Sequence, residues 1–148
     1  MSNLLIRPVK IDDLNPILSL LEQLNTKMSK DENEDQSHML RVLHQILENH
    51  DYYVIVSEIA GRIVGTATLL IQRNLSHGGK PYAHIENVVT DENFRQQGIG
   101  QKMINVLLEH ARKTGCYKTI LNCSKKNANF YRKCGFEFTD EIEMRIDF

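Results

Sequence analysis

The 148-residue chain has no long apolar run, no internal repeat, no linker rich in proline or glycine, and no finger, RNP or basic-zipper pattern. Without roughly 18 consecutive apolar residues, insertion as a membrane helix is excluded. Without repeat or linker, residues 1–148 read as a single domain, long enough to support a sizeable core without crosslinks. The three cysteines, Cys116, Cys123 and Cys134, are an odd number with no CxxC pair, and MSNLLIRPVK lacks the apolar stretch of a signal peptide. A reducing, cytoplasmic setting is the expectation, with the thiols as small buried side chains.

A net charge of -1 hides an asymmetry. Residues 95 to 133 carry nine Lys and Arg against Glu109 alone, a net of +8, so the rest of the chain stands at -9. Such a field attracts polyanions, although each lysine read singly is also an ordinary solvated helix face. With no nucleic-acid motif present, nucleic acid is not expected as the partner.

Periodicity supplies the elements. Leu4 to Val9 reads as a strand; Asp12 or Asp13 then caps a helix through Leu14, Ile17, Leu18, Leu21 and Leu24, with Pro16 early enough to be tolerated. The polar run SKDENEDQSH (29–38) reads as a loop before a second helix carrying Met39, Leu40, Leu43, Ile46 and Leu47 on one face. Tyr52 to Ile59 and Ile63 to Gln72 form a hairpin, RNLSHGGKPY a loop, and His84 to Thr90 the fourth strand. A helix follows through Met103, Ile104, Leu107, Leu108 and Ala111, with Gly115 at its C-terminal cap. Next come a strand from Tyr117 to Cys123, a short helix from Asn127 to Lys133, and a closing hairpin from Phe136 to Phe148. The order β-α-α-β-β-β-α-β-α-β-β is that of one α/β unit with a mixed central sheet flanked by helices.

The stretch FRQQGIGQKM (94–103) places two glycines at the start of the third helix. A helix start presents free N–H groups and partial positive charge, and glycine lets a phosphate approach the backbone. Arg95-x-x-Gly98-x-Gly100 therefore reads as a pyrophosphate cradle. It is neither a nucleotide-hydrolase loop, lacking Gly-Lys-Ser/Thr and its magnesium ligand, nor the GxGxxG of dinucleotide binders.

Together these features resemble the GNAT superfamily of acetyl-CoA-dependent N-acetyltransferases, whose Arg/Gln-x-x-Gly-x-Gly/Ala loop follows the fourth strand. HIENVV, RQQGIG, GCYKTILNCS, NFYRKCGF and IEMRIDF, in that order, resemble more narrowly the eukaryotic glucosamine 6-phosphate N-acetyltransferases. The resemblance implies a GNAT fold and acetyl transfer from acetyl-CoA to the 2-amino group of glucosamine 6-phosphate, feeding UDP-N-acetylglucosamine synthesis. No metal is required, and a homodimer is implied, part of the acceptor site crossing its interface. A GNAT enzyme for another amino sugar or a polyamine, or a silent acetyl-CoA-binding module, are the competing readings.

Site residues follow by motif. The resemblance assigns the coenzyme to Val88, Val89, Thr90, Arg95, Gln96, Gln97, Gly98, Ile99, Gly100, Gln101, Asn127 and Tyr131. It implies Tyr131 as the tyrosine near the coenzyme sulfur, where a phenol can donate to a thiolate; the plainer role is packing of the short helix. Backbone N–H groups around Asn87 to Val89 are candidates to polarise the carbonyl, since this strand splays from its neighbour in the superfamily. Glu86 matches the family glutamate, able to hold hydroxyls or pass the amine proton through water, or else simply faces solvent. His84 shares the motif and reads more readily as structural. For the sugar phosphate the pattern points to Asn74 and His77, to Tyr117 and Lys118, and to Arg145, with Lys118 equally readable as surface charge. The chain departs from the family pattern at Asn25, Asn74, Asn87 and Asn122, all four counted among the acceptor contacts. Asparagine keeps an acceptor oxygen but neither neutralises charge nor takes a proton. A covalent acetyl-cysteine route lacks a paired histidine.

Overall fold

The computed structural model describes residues 3–24 and 35–148. Its elements are β1 (Leu4–Pro8), α1 (Leu14–Leu24), α2 (Gln36–Glu48), β2 (Tyr52–Ile59), β3 (Arg62–Gln72), β4 (Tyr82–Thr90), α3 (Ile99–Lys113), β5 (Thr119–Ile120) and α4 (Ala128–Lys133). The strands form a five-stranded sheet in the order β1-β2-β3-β4-β5, antiparallel except for the parallel pair β4–β5.

Alternation along the strands sends apolar side chains to both faces. Ile55, Ala67, Leu69, Ile71, Ala83 and Ile85 meet Met103, Ile104, Leu107 and Ala111 of α3. Val9, Leu14, Leu43 and Val56 form a smaller cluster with side chains of α1 and α2. Leu107 is fully buried, so Leu107→Ala would cost about 3 kcal/mol in lost transfer energy and cavity.

Helix α3 sets the site's geometry, and its ends follow from its sequence. Arg112 and Lys113 in the last turn interact favourably with the negative end of the helix dipole. Gly115, at φ +84°, closes the helix as its N–H donates to Arg112 O and that of Cys116 to Ala111 O, both at 3.0 Å. That pair of bonds is a Schellman cap, which favours glycine at the left-handed position.

The structure differs from the expectations in four places. Asp13 does not cap α1: it is buried, takes a two-pronged contact from Arg7 at 2.8 and 2.9 Å, and accepts the Lys10 N–H at 2.7 Å. The Arg7 hydrogen bonds hold its carboxyl below the usual range. Helix α2 starts at Gln36, inside the expected loop, because Asp35 caps it by accepting from the Ser37 N–H at 3.0 Å. The fifth strand shrinks to two residues. The closing hairpin is absent: residues 136–148 form no strand, and Ile142, Met144, Ile146 and Phe148 are all more than three-quarters exposed. A lone hairpin is marginal in water, and these alternate apolar residues are left largely exposed. Among the described residues no helix is long and apolar enough to cross a membrane.

Candidate active site

Strand β4 loses its regular pairing on both edges over the same few residues. Towards β3, Thr66 pairs with Val89 and Thr68 with Glu86, leaving Asn87 and Val88 opposite Ala67. This is a β-bulge, and Asn87 carries it at φ +53°, a left-handed conformation that asparagine tolerates better than most residues. Towards β5 the ladder consists of Ala83–Thr119 and His84–Ile120 only. Beyond His84 the pairing stops, and that edge of β4 has no strand partner among the described residues. Val89 is buried and Val88 packs on the core, so both offer the opening only backbone.

The glycine loop begins where β4 ends. Buried Asp91 accepts the Asn93 N–H at 2.9 Å and an Arg62 N–H at 2.9 Å, and the Asn93 backbone bond is the main cause of its lowered pKa. Arg95 donates Nε to Thr90 O at 3.1 Å, so part of its guanidinium is spent on holding the loop. Gln96 at φ +61° and Gly98 at φ +76° turn the chain into α3. The first helical bond runs from Lys102 N–H to Gly98 O at 3.1 Å. The N–H groups of Ile99, Gly100 and Gln101 thus have no helical acceptor. Arg95, Gln96, Gln97 and Gln101 are exposed around this turn.

The two glycines serve different needs. A side chain at Gly98 would meet nothing within 4 Å, so glycine there answers the positive φ alone. A Cβ at Gly100 would lie 3.1 Å from the Phe130 ring and 3.7 Å from Thr90 Oγ1. Bulk at Gly100 would therefore do more than obstruct a phosphate, because Phe130 of α4 already occupies one side. Helix α4 is docked at the junction of β4 and α3.

On α4, Asn127 is the N-cap residue and Tyr131 sits between Phe130 (4.9 Å between ring centroids) and Phe136 (6.1 Å), edge-on to each. Burial first, then proximity to Cys123 and Cys134, pushes the Tyr131 phenol up to about 12. Its hydroxyl has no hydrogen-bond partner among the described residues. Cys116 and Cys134 are half-buried, but Cys123 is exposed, against the expectation of a buried thiol.

At the other end of β4 the expected phosphate residues assemble. Asn74 Nδ2 donates to Ser76 Oγ at 2.7 Å, and Ser76 Oγ lies 2.9 Å from His77 Nδ1. The His77 ring stacks on Tyr117 at 4.0 Å and 16°, and Lys118 Nζ lies 5.6 Å from the Tyr117 ring centroid. Strand alternation puts Tyr82, His84 and Glu86 on one face, a row about 13 Å long at strand rise, running from Lys118 towards the bulge. His84 is engaged structurally, its Nε2 2.8 Å from Gln72 Oε1, while Glu86 is exposed and makes no ion pair among the described residues.

Two assigned residues are not brought into this row. Asn122 lines a groove of about 390 Å³ behind β5 with Cys123, Tyr131 and Phe136, and Arg145 is tied to Asp147 at 3.1 Å in the exposed terminal segment. Asn25 lies outside the described residues. A second cavity, about 540 Å³ between α1 and the β2–β3 turn, holds none of the assigned residues, and its Arg7–Asp13 and Arg62–Asp91 charges are already paired. Neither Tyr82 nor Phe130 stands among the residues expected from the sequence; alternation back from Glu86 through His84 marks Tyr82. Among the described residues no group of three His, Cys, Asp or Glu is placed to hold a metal ion.

A family model described as Acetyltransferase (GNAT) family matches residues 17–136. A glucosamine 6-phosphate N-acetyltransferase of Trypanosoma brucei brucei is 45% identical over 94 residues, spanning 64% of this chain and 63% of that protein. Another protein of that name from Arabidopsis thaliana is 34% identical over 131 residues, 88% of this chain and 87% of its own. The crystal structure of the Arabidopsis thaliana glucosamine-6-phosphate N-acetyltransferase superposes with a TM-score of 0.89 at 31% identity, covering 99% of both chains.

Proposed function

This chain belongs to the acetyltransferase (GNAT) family, and we propose that it transfers the acetyl group of acetyl-CoA to the 2-amino group of glucosamine 6-phosphate. The observation that carries this reading is the coincidence of bulge and splay in β4, midway between the glycine loop and the Lys118 cluster. Two phosphorylated substrates, each held by its phosphate at one end of β4, can meet there with their reacting groups together.

Acetyl-CoA supplies the acetyl group as a thioester. The free N–H groups of Ile99, Gly100 and Gln101, with the turn Arg95 to Gly98, hold the pyrophosphate, and Thr90 and Asn127 flank the coenzyme. Backbone N–H groups of the Asn87–Val89 bulge point donors at the thioester carbonyl; fixed in place before binding, they stabilise charge as it develops on that oxygen. Asn74, His77, Tyr117 and Lys118 read the sugar phosphate. Glu86 holds the sugar and takes the proton lost as the amine nitrogen bonds to the carbonyl carbon, directly or through water. The C–S bond breaks as Tyr131 donates a hydrogen bond to the departing sulfur. A phenol held near 12 cannot surrender its proton wholly to a thiolate of ordinary pKa near 8.5, so solvent supplies the thiol proton finally.

We propose a homodimer as well. Ile142, Met144, Ile146 and Phe148 alternate along an exposed segment, and β5 is paired on one side only. A second copy offers both the missing strand partner and cover for those side chains. The three free thiols support a reducing, cytoplasmic setting.

The test is coenzyme A release from acetyl-CoA with glucosamine 6-phosphate, glucosamine or spermidine as acceptor. Fastest release with the phosphorylated sugar supports the reading. Equal rates with both sugars, or preference for spermidine, overturn it.

A further inference from the structure

We propose that Tyr82 is a positioning residue for acceptor recognition: its ring holds the Lys118 ammonium at the mouth of the site, ready for the 6-phosphate. This rests on the reading of Lys118 as the phosphate contact. Lys118 Nζ lies 5.0 Å from the Tyr82 ring centroid, closer than to Tyr117, and forms no ion pair among the described residues. A lysine in that state keeps its charge available to an incoming anion, whereas one paired to a carboxylate would first have to exchange partners. The ring face attracts the ammonium and restricts a long side chain that would otherwise sweep freely through solvent.

The backbone fixes this arrangement from both directions. Tyr117 N–H donates to Pro81 O and Ala83 N–H donates to Lys118 O, each at 3.0 Å, so the segments carrying Tyr82 and Lys118 are clamped on either side of the contact. The Tyr82 ring is itself confined, with Tyr117 at 5.9 Å and His84 at 5.2 Å between centroids, and His84 is anchored by Gln72. Tyr82 therefore acts through Lys118 without itself supplying the charge.

The experiment compares kcat and KM for glucosamine 6-phosphate and for glucosamine, at saturating acetyl-CoA, in Tyr82→Leu, Tyr82→Met, Tyr82→Phe, Lys118→Met and the Tyr82→Leu/Lys118→Met double variant. Folding of each is checked by circular dichroism. Tyr82→Leu and Tyr82→Met should raise KM for the phosphorylated sugar about two- to tenfold, the range of a cation–ring contact, with kcat and the glucosamine constants little changed. Tyr82→Phe keeps the ring face and should restore the parent preference. The double variant should be no worse than Lys118→Met, since Tyr82 has nothing left to position. If Lys118→Met abolishes the phosphate preference while Tyr82→Leu and Tyr82→Met keep it, or if the losses simply add, the role of Tyr82 is overturned and the phosphate reading stands. If Lys118→Met keeps the preference, the phosphate reading falls and the role of Tyr82 with it.

Discussion

The two ends of β4 offer an incoming ligand different kinds of group. At the glycine loop the donors are backbone N–H groups, and side chains matter mainly for what they permit: positive φ at Gly98, close approach of Phe130 at Gly100. At the acceptor end the groups are side chains, joined from Asn74 through Ser76, His77 and Tyr117 to Lys118. The four asparagines at which the chain departs from the family pattern, Asn25, Asn74, Asn87 and Asn122, all lie outside the glycine loop 95–101. Backbone recognition depends on conformation, which glycines secure, so the loop wording is constrained. Side-chain recognition can be revised one contact at a time.

The largest effect that would sharpen this contrast is expected at Gly100. A valine there drives its branches into the Phe130 ring, already 3.1 Å from the nearest Cβ position. Overpacking of this kind costs about 1–3 kcal/mol, and here it falls on the junction of α3 and α4. The KM for acetyl-CoA should rise by on the order of a hundredfold, with KM for the sugar phosphate within about threefold of the parent. Smaller coenzyme effects in a Gly100→Val/Phe130→Ala pair would identify the ring as the cause. A Gly100→Val enzyme with unchanged KM for acetyl-CoA would break the comparison at its firmest point.

Tyr131→Phe comes next. Loss of one hydrogen-bond donor to the departing sulfur should lower kcat by about tenfold, equally for phosphorylated and unphosphorylated acceptors, with acetyl-CoA affinity kept. The sign of the pH effect follows from the raised phenol. Its folded value of about 12 lies above the ordinary 10, so its contribution to stability is complete below pH 10 and lost as pH rises towards 12. Over that window Tyr131→Phe should lose less stability than the parent. Denaturant titrations at several alkaline pH values read this directly, and parallel curves would assign the hydroxyl no burial penalty.

How much of this was legible in the sequence depended on how local each cause was. The α3 register, its glycine cap and the β2–β3 hairpin are written in neighbouring residues, and the structure has them. The closing hairpin was misread because alternation at Ile142 to Phe148 specifies a strand without saying what it pairs with, and among the described residues no strand pairs with it. Asp13 was misread as a cap because its real partner, Arg7, sits on the strand before it. The constraint on Gly100 comes from a ring thirty positions away. Tyr82 was hidden by its setting after a proline at the end of a polar loop, where a strand start is hard to separate from a turn.

The smallest expected effect tests whether Asn87 belongs with the backbone end or with the acceptor end. Read by charge, asparagine in place of the family aspartate loses a carboxylate that could attract a cationic amine. Read by conformation, the position needs a residue that accepts φ +53°, and aspartate, asparagine and glycine all do. The exposed side chain makes no hydrogen bond among the described residues, whereas the bulge it occupies frees the backbone donors of the opening. Conformation is therefore assigned the larger part. Asn87→Asp and Asn87→Gly should each leave kcat/KM for glucosamine 6-phosphate within about threefold of the parent, a span of roughly 0.7 kcal/mol. A tenfold loss in the glycine variant, or a tenfold gain in the aspartate variant with glucosamine as well as its phosphate, would move Asn87 to the side-chain half of the site and show that the lost charge mattered.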